Sequence, residues 1–322
     1  MINSLDLSKF IAAILVVLIH VFAVRNYEPP AVLTFMLHMV VPFFFTISGY
    51  LLLYKKENRQ LHSTQIDKYL RKYLKLYLIW LLIYSPLEIS VLCDMNLPIT
   101  KIICNLGWNF MVTGRFYKAW PLWYLLAALH SIAIIGLLLR CGIKLCGLLF
   151  IAFFLMLAGW FLNDSSLPVL DSVREFYFTY FYTTRNGVFQ ALGYMAGGML
   201  VAAYMAVFKQ LPQLGVIILC IVCGIGAFYR WPLCNVLFSS ILLLLIVSLR
   251  IGDHPIWSKL RKLLLLYYLL HIGVIYAVIC FLPHISSLLF FTIIVLAFTT
   301  IIALLLLYLQ KKRGFSWLKQ LW

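Results

Sequence analysis

Ten stretches of this chain are apolar for about twenty residues each, the length a helix needs to cross the roughly 30 Å hydrocarbon layer of a bilayer. They fall at 8–25, 33–54, 72–92, 120–139, 144–162, 186–207, 211–229, 232–250, 263–282 and 286–309. Backbone groups in hydrocarbon must be satisfied within the segment, so runs of this kind are helices. Little chain is left between them. Of 322 residues, 64% are hydrophobic and 11% charged, where soluble domains carry about 25% charged residues. That excludes an ordinary soluble enzyme, a disordered chain, a fibrous repeat and a small disulfide scaffold. The sequence predicts an all-α polytopic integral membrane protein of about ten transmembrane helices, with 1–322 forming a single domain. No small-residue cleavage site follows the first run, which is therefore read as a span and not a signal peptide.

The formal net charge is +16. In a soluble protein this would suggest nucleic acid. Here the cations sit between apolar runs and read as topology signals and contacts to anionic lipid, with no nucleic-acid partner. With both termini cytoplasmic, 19 basic residues fall on the inner side and 7 on the outer, and this excess sets the orientation. Two outer connections are long, near 93–119 and 163–185. The second is rich in Tyr and Phe, which stack on sugars but more often form an interfacial belt. Cys220 and Cys223 form a CxxC inside an apolar run and read as packing. Cys93 and Cys104 lie in or near the first long outer connection, where pairing is left open. No metal site is expected.

Ionisable residues within spans are costly and usually face a cavity or a partner. In the first span Asp6, Lys9 and His20 share a face. Lys9 and His20 are eleven residues apart, about three turns and about 16 Å along the axis. Lys9 thus sits near the cytoplasmic edge and His20 past the midplane. A neutral imidazole there is a natural general base for a hydroxyl or amine. The second span carries Pro42 and the close-packing pair Ser48-Gly49. The third opens with Arg71, Lys72 and Lys75 a turn beyond Lys68. These read first as a stop signal, and second as a site for a multiply phosphorylated ligand. Trp123 and Tyr124 open the fourth span. Tyr268 and His271 share a face of the ninth at i, i+3. Glu88 and His130 also lie in spans, and no role follows for them from sequence.

Taken in order, these fragments resemble the acyltransferase 3 family of ten-helix membrane acyltransferases, over nearly the whole chain. The family's opening Asp, Arg and His read here Asp6, Lys9 and His20. Its Phe-rich second span reads VPFFFTISGYLL at 41–52, and the basic start of its third reads RKYLK at 71–75. Its Trp-Tyr-Leu reads Trp123-Tyr124-Leu125. A Gly-spaced span reads GYMAGG at 193–198, and the late Tyr-Leu-x-His reads Tyr268 to His271. One position departs: lysine replaces the usual arginine at 9, keeping the charge but losing the planar fork.

The resemblance implies an O-acetyltransferase of the bacterial plasma membrane. It would move an acyl group, commonly acetyl, from cytoplasmic acyl-CoA (acetyl-CoA as donor) to a glycan or lipid-linked saccharide. His20 would be the base, with Lys9 and Asp6 organising the site. Arg71, Lys72 and Lys75 would hold the CoA phosphates. Ser48, Trp123, Tyr124, Tyr268 and His271 are candidates for orienting the acceptor or stabilising the oxyanion. Two other classes compete: a multipass transporter or flippase whose polar residues line a path, and a structural membrane partner without chemistry. The acceptor, the acyl length, O- against N-acylation and the oligomeric state are left open.

Overall fold

The structure is a computed structural model that describes residues 2–54, 61, 63–95, 98–164, 168–208 and 210–321. Lys55, Lys56, Arg59 and Lys209, counted among the inner cations, lie outside the described residues. Among those described there are helices and no strands. Twelve α-helices follow in order: α1 Asn3–Val24, α2 Ala31–Leu53, α3 Ser63–Asp94, α4 Ile99–Trp108, α5 Leu122–Arg140, α6 Leu145–Asp164, α7 Asp171–Phe181, α8 Leu192–Phe208, α9 Gln213–Phe228, α10 Pro232–Ser248, α11 Ile256–Phe281 and α12 Leu288–Leu309.

Eight helical spans are long and apolar enough to cross a membrane. They are α1, α2, α3, α5, α6, α8 with the π-turn Gly187–Ala191 before it, α11 and α12. The protein is thus an all-α, multi-pass membrane protein. The two remaining expected spans, 211–229 and 232–250, fold as the shorter apolar helices α9 and α10, of 16 and 17 residues. The apolar run outlasts α9 for local reasons. Pro212 caps α9, and Arg230 takes a left-handed φ of 61° just after it. Elsewhere the helices outlast the apolar runs. α3 begins at Ser63 and α11 at Ile256, because a helix can continue into water where hydropathy has already fallen. The two long connections contain the helices α4 and α7, of 10 and 11 residues, too short to register as spans in a hydropathy reading. Their ends meet. The Trp108 indole N–H donates to the Tyr180 carbonyl at 2.8 Å, and its ring lies 5.9 Å from that of Phe181.

The chain divides into two compact units. One comprises Met1–Val40 with Ile246–Trp322, the other Val41–Leu245. In the first, α1 packs along α11, and α11 along α12. Arg25, just past α1, donates to the carbonyls of Ile285 (2.7 Å) and Ser286 (3.0 Å) and lies over the Phe291 ring. It ties the end of α1 to the α11–α12 turn.

In the second unit the core gathers around Phe45, Ala128, Ile132, Ile135, Leu192 and Met195. The α2–α8 crossing is unusually close. A Cβ on Gly198 would stand 1.8 Å from the Thr46 carbonyl oxygen, and one on Gly49 1.9 Å from that of Met195. Two glycines therefore admit backbone against backbone, and Thr46 Oγ1 bonds Ser239 Oγ at 2.8 Å beside them.

Glu88, buried to 1% exposure, accepts backbone N–H bonds from Tyr117 (2.9 Å), Lys118 (2.7 Å) and Ala119 (2.6 Å). Its carboxylate holds the turn that launches α5. His130 Nε2 bonds the Met111 carbonyl at 3.1 Å, so both residues left unassigned by sequence have backbone partners. Cys93 and Cys104 are exposed free thiols, and Cys220 and Cys223 are buried.

Gly198→Val should lower stability in detergent by about 1–3 kcal/mol or more, since the obstacle is backbone that cannot swing aside. Thermal unfolding of the purified protein measures this. Val in place of Gly215, where nothing lies within 4 Å, is the tolerated control.

Candidate functional site

The chemistry-bearing residues of the first unit lie on the facing sides of α1 and α11. Asp6 is 4% exposed. Its carboxylate accepts a two-pronged bond from Arg261, with Nε 3.1 Å from each oxygen and Nη2 bonded to Oδ2. A guanidinium fork suits a buried carboxylate in a way an ammonium does not. Phe10 then meets Tyr267 edge-on at 5.5 Å. Further along both helices the His20 and His271 rings face each other, centroids 5.1 Å apart and tilted by 34°. The contacts at Asp6, Phe10 and His20 meet Arg261, Tyr267 and His271 in the same order, so α1 and α11 run parallel.

His271 is fully buried. Its Nδ1–H donates to the Tyr267 carbonyl one turn back, at 2.9 Å. Tyr268, 8% exposed, has its ring 6.4 Å from that of His271. Tyr267 also bonds Thr300 of α12 through its hydroxyl, fixing the backbone that holds His271. Of the expected site residues, Asp6, His20, Tyr268 and His271 are thus gathered on one helix pair. Lys9 lies on α1 between Asp6 and His20 and is half-buried.

The other expected residues belong to the second unit. Ser48 Oγ lies 3.0 Å from the Tyr124 hydroxyl and 3.4 Å from that of Tyr73, forming a cluster of three hydroxyls. Ser48 also donates to the Phe44 carbonyl at 2.9 Å, the bond available to a serine inside a helix. Tyr124 and Trp123 both pack on Phe45, at 4.5 Å and 5.9 Å.

Arg71, Lys72 and Lys75 are exposed. The buried stripe of α3 runs through Ile66, Tyr77, Trp80, Tyr84 and Glu88, and Tyr73 lies on that side. Arg71 and Lys75 are one turn apart and each two residues from Tyr73, so they project from the opposite side. Within this unit Arg71 and Lys75 do not face the hydroxyl cluster.

Sequence reasoning missed Arg261, Tyr73 and the Tyr267 carbonyl. A signal for Arg261 was present, since it stands ten residues before His271 much as Lys9 stands eleven before His20. In the sequence alone it is one topology charge among four at 250–262. Tyr73 was hidden between the cations that drew attention to its segment. In the connection before α8, burial pushes the Tyr177 phenol up to about 12, and its oxygen accepts from Asn186 Nδ2 at 2.9 Å. Asn186 Oδ1 in turn caps the turn before α8 through Val188 N and Phe189 N.

The acyltransferase domain family matches residues 2–308. The chain belongs to the acyltransferase 3 family. Its resemblance in sequence fragments is therefore a relationship over nearly the whole length. Among curated proteins it is similar to an amino-acid racemase of Enterococcus faecalis, 28% identical over 335 aligned residues, 96% of this chain and 46% of that protein. A serine/alanine racemase of Enterococcus gallinarum is 28% identical over 212 residues, 62% of this chain and 29% of that protein. The chain spans less than half the length of these relatives. No solved structure gives a significant match.

Arg261→Ala should destabilise the protein by about 3 kcal/mol, the low end of the range for breaking a buried pair because Arg261 is partly exposed. Asp6→Asn combined with Arg261→Met should recover most of the loss, since the stranded charge is then gone. Thermal unfolding of the single and double variants checks the sign of the coupling.

Proposed function

We propose that this acyltransferase carries an acetyl group from cytoplasmic acetyl-CoA to a hydroxyl of a cell-surface or lipid-linked glycan, with His20 as general base. The observation that carries the reading is the pair of imidazoles, His20 and His271, held in the bilayer by two parallel helices. A neutral imidazole takes the acceptor's proton as its oxygen attacks the thioester carbonyl. The tetrahedral oxyanion then collapses, the C–S bond breaks, and the CoA thiolate leaves and is protonated. The Tyr268 hydroxyl, on a ring 6.4 Å from that of His271, is assigned to donate to the acceptor or the oxyanion. Ser48, Trp123 and Tyr124 are assigned to the acceptor side, and Arg71, Lys72 and Lys75 to the phosphates of CoA.

The assignment places the protein in a bacterial plasma membrane with both termini cytoplasmic and ten crossings. The parallel run of α1 and α11 supports an even number of steps from one to the other. Counting α9 and α10 as crossings or not leaves that parity unchanged. Lys9, half-buried below His20, keeps a positive charge near the inner mouth, and Asp6 with Arg261 fixes the lower ends of the two helices.

The names of the matched racemases favour one second reading, in which the small molecule handled is an amino acid. It would be acylated at its amine or carried across the membrane without chemistry.

Purified protein incubated with labelled acetyl-CoA and membrane glycan should transfer label, and His20→Ala should lose about 10²–10⁴-fold in turnover while keeping its fold. Unchanged turnover in folded His20→Ala removes the mechanism. Uptake of serine or alanine into proteoliposomes, with no acyl transfer, would support the second reading instead.

A further inference from the structure

His271 is fully buried, and backbone bonding at Nδ1 sets its tautomer. Its Nδ1–H is committed to the Tyr267 carbonyl at 2.9 Å. In the neutral ring Nε2 therefore carries the lone pair. That atom is buried and has no hydrogen-bond partner among the described residues. An imidazole nitrogen kept bare and dry is costly, and a purely structural histidine would be expected to use both nitrogens. The ring beside it is that of His20. Two imidazolium ions at 5.1 Å repel strongly where the dielectric is low, so at most one ring of the pair carries a positive charge.

We infer that His271 is a positioning residue for His20. Its Nε2 lone pair accepts a hydrogen bond from the imidazolium that His20 becomes during attack, and Tyr267 orients it through the backbone. The inference rests on the reading of His20 as base. In the step, the acceptor O–H proton moves to His20 as the new C–O bond forms, and His271 takes no atom. When the C–S bond breaks, the proton leaves His20 for the thiolate sulfur. The arrangement does for His20 what an orienting acceptor does for any histidine base, with a second imidazole in place of a carboxylate. A neutral acceptor adds no net charge to the interior of the membrane, whereas a carboxylate would need a further partner. The Tyr267 hydroxyl bond to Thr300 anchors the carbonyl that sets the tautomer.

The experiment uses the full chain and three variants. His271→Asn keeps a donor for the Tyr267 carbonyl but has no acceptor at the Nε2 position. His271→Gln places an amide oxygen near that position. In labelled acetyl transfer, His271→Asn should fall about 10²-fold in kcat with KM for both substrates unchanged. His271→Gln should recover to within about tenfold of wild type. Equal loss in both variants, or wild-type turnover in His271→Asn alongside inactive His20→Ala, overturns the inference and leaves the base. Full activity in His20→Ala overturns the base itself, and the inference with it. Imidazole ¹⁵N chemical shifts of the wild-type protein give a readout independent of whether variants fold. They should show His271 protonated at Nδ1 and bare at Nε2, and the opposite tautomer overturns the inference.

Discussion

A bilayer offers no water to an ionisable group, so every such group inside a span must find its partner in the protein. Much of this structure follows from that constraint. Asp6 takes the fork of Arg261, Glu88 takes three backbone N–H groups, and His271 takes a carbonyl of its own helix. Each bond also fixes an element: the lower ends of α1 and α11, the turn before α5, and the tautomer of an imidazole. The polar groups are few, and each sets the position of something larger than itself.

Besides the buried carboxylate Glu88 of the second unit, the two units satisfy their polar groups in different ways. In the first, acid, base and aromatic groups line one parallel helix pair. In the second, hydroxyls of Ser48, Tyr73 and Tyr124 satisfy one another at the centre of a close-packed bundle, and glycines bring α2 and α8 into backbone contact. Hydroxyls need no counter-charge, so they tolerate a core that a lysine does not. The cations of α3 accordingly stay outside it.

The chain belongs to the acyltransferase 3 family and is similar over less than half of their length to proteins named as racemases. Neither fact assigns a role to a side chain. The roles rest on geometry, and the His20–His271 contact is the feature that an acyl-transfer mechanism uses most directly.

The amino-acid sequence by itself determined the helical class, eight long spans close to where the apolar runs lie, the shared face of Asp6, Lys9 and His20, and the pairing of Tyr268 with His271 at helical spacing. All of these are local, since hydropathy and a period of 3.6 residues carry them. Tertiary structure alone decided the partners. Asp6 meets a residue 255 positions away, Ser48 meets tyrosines of two other helices, and Glu88 meets a turn 29 to 31 residues on. Period and hydropathy say which way a side chain points from its own helix, but what it meets there depends on how the helices pack, and that is set by close contacts such as those of Gly49 and Gly198.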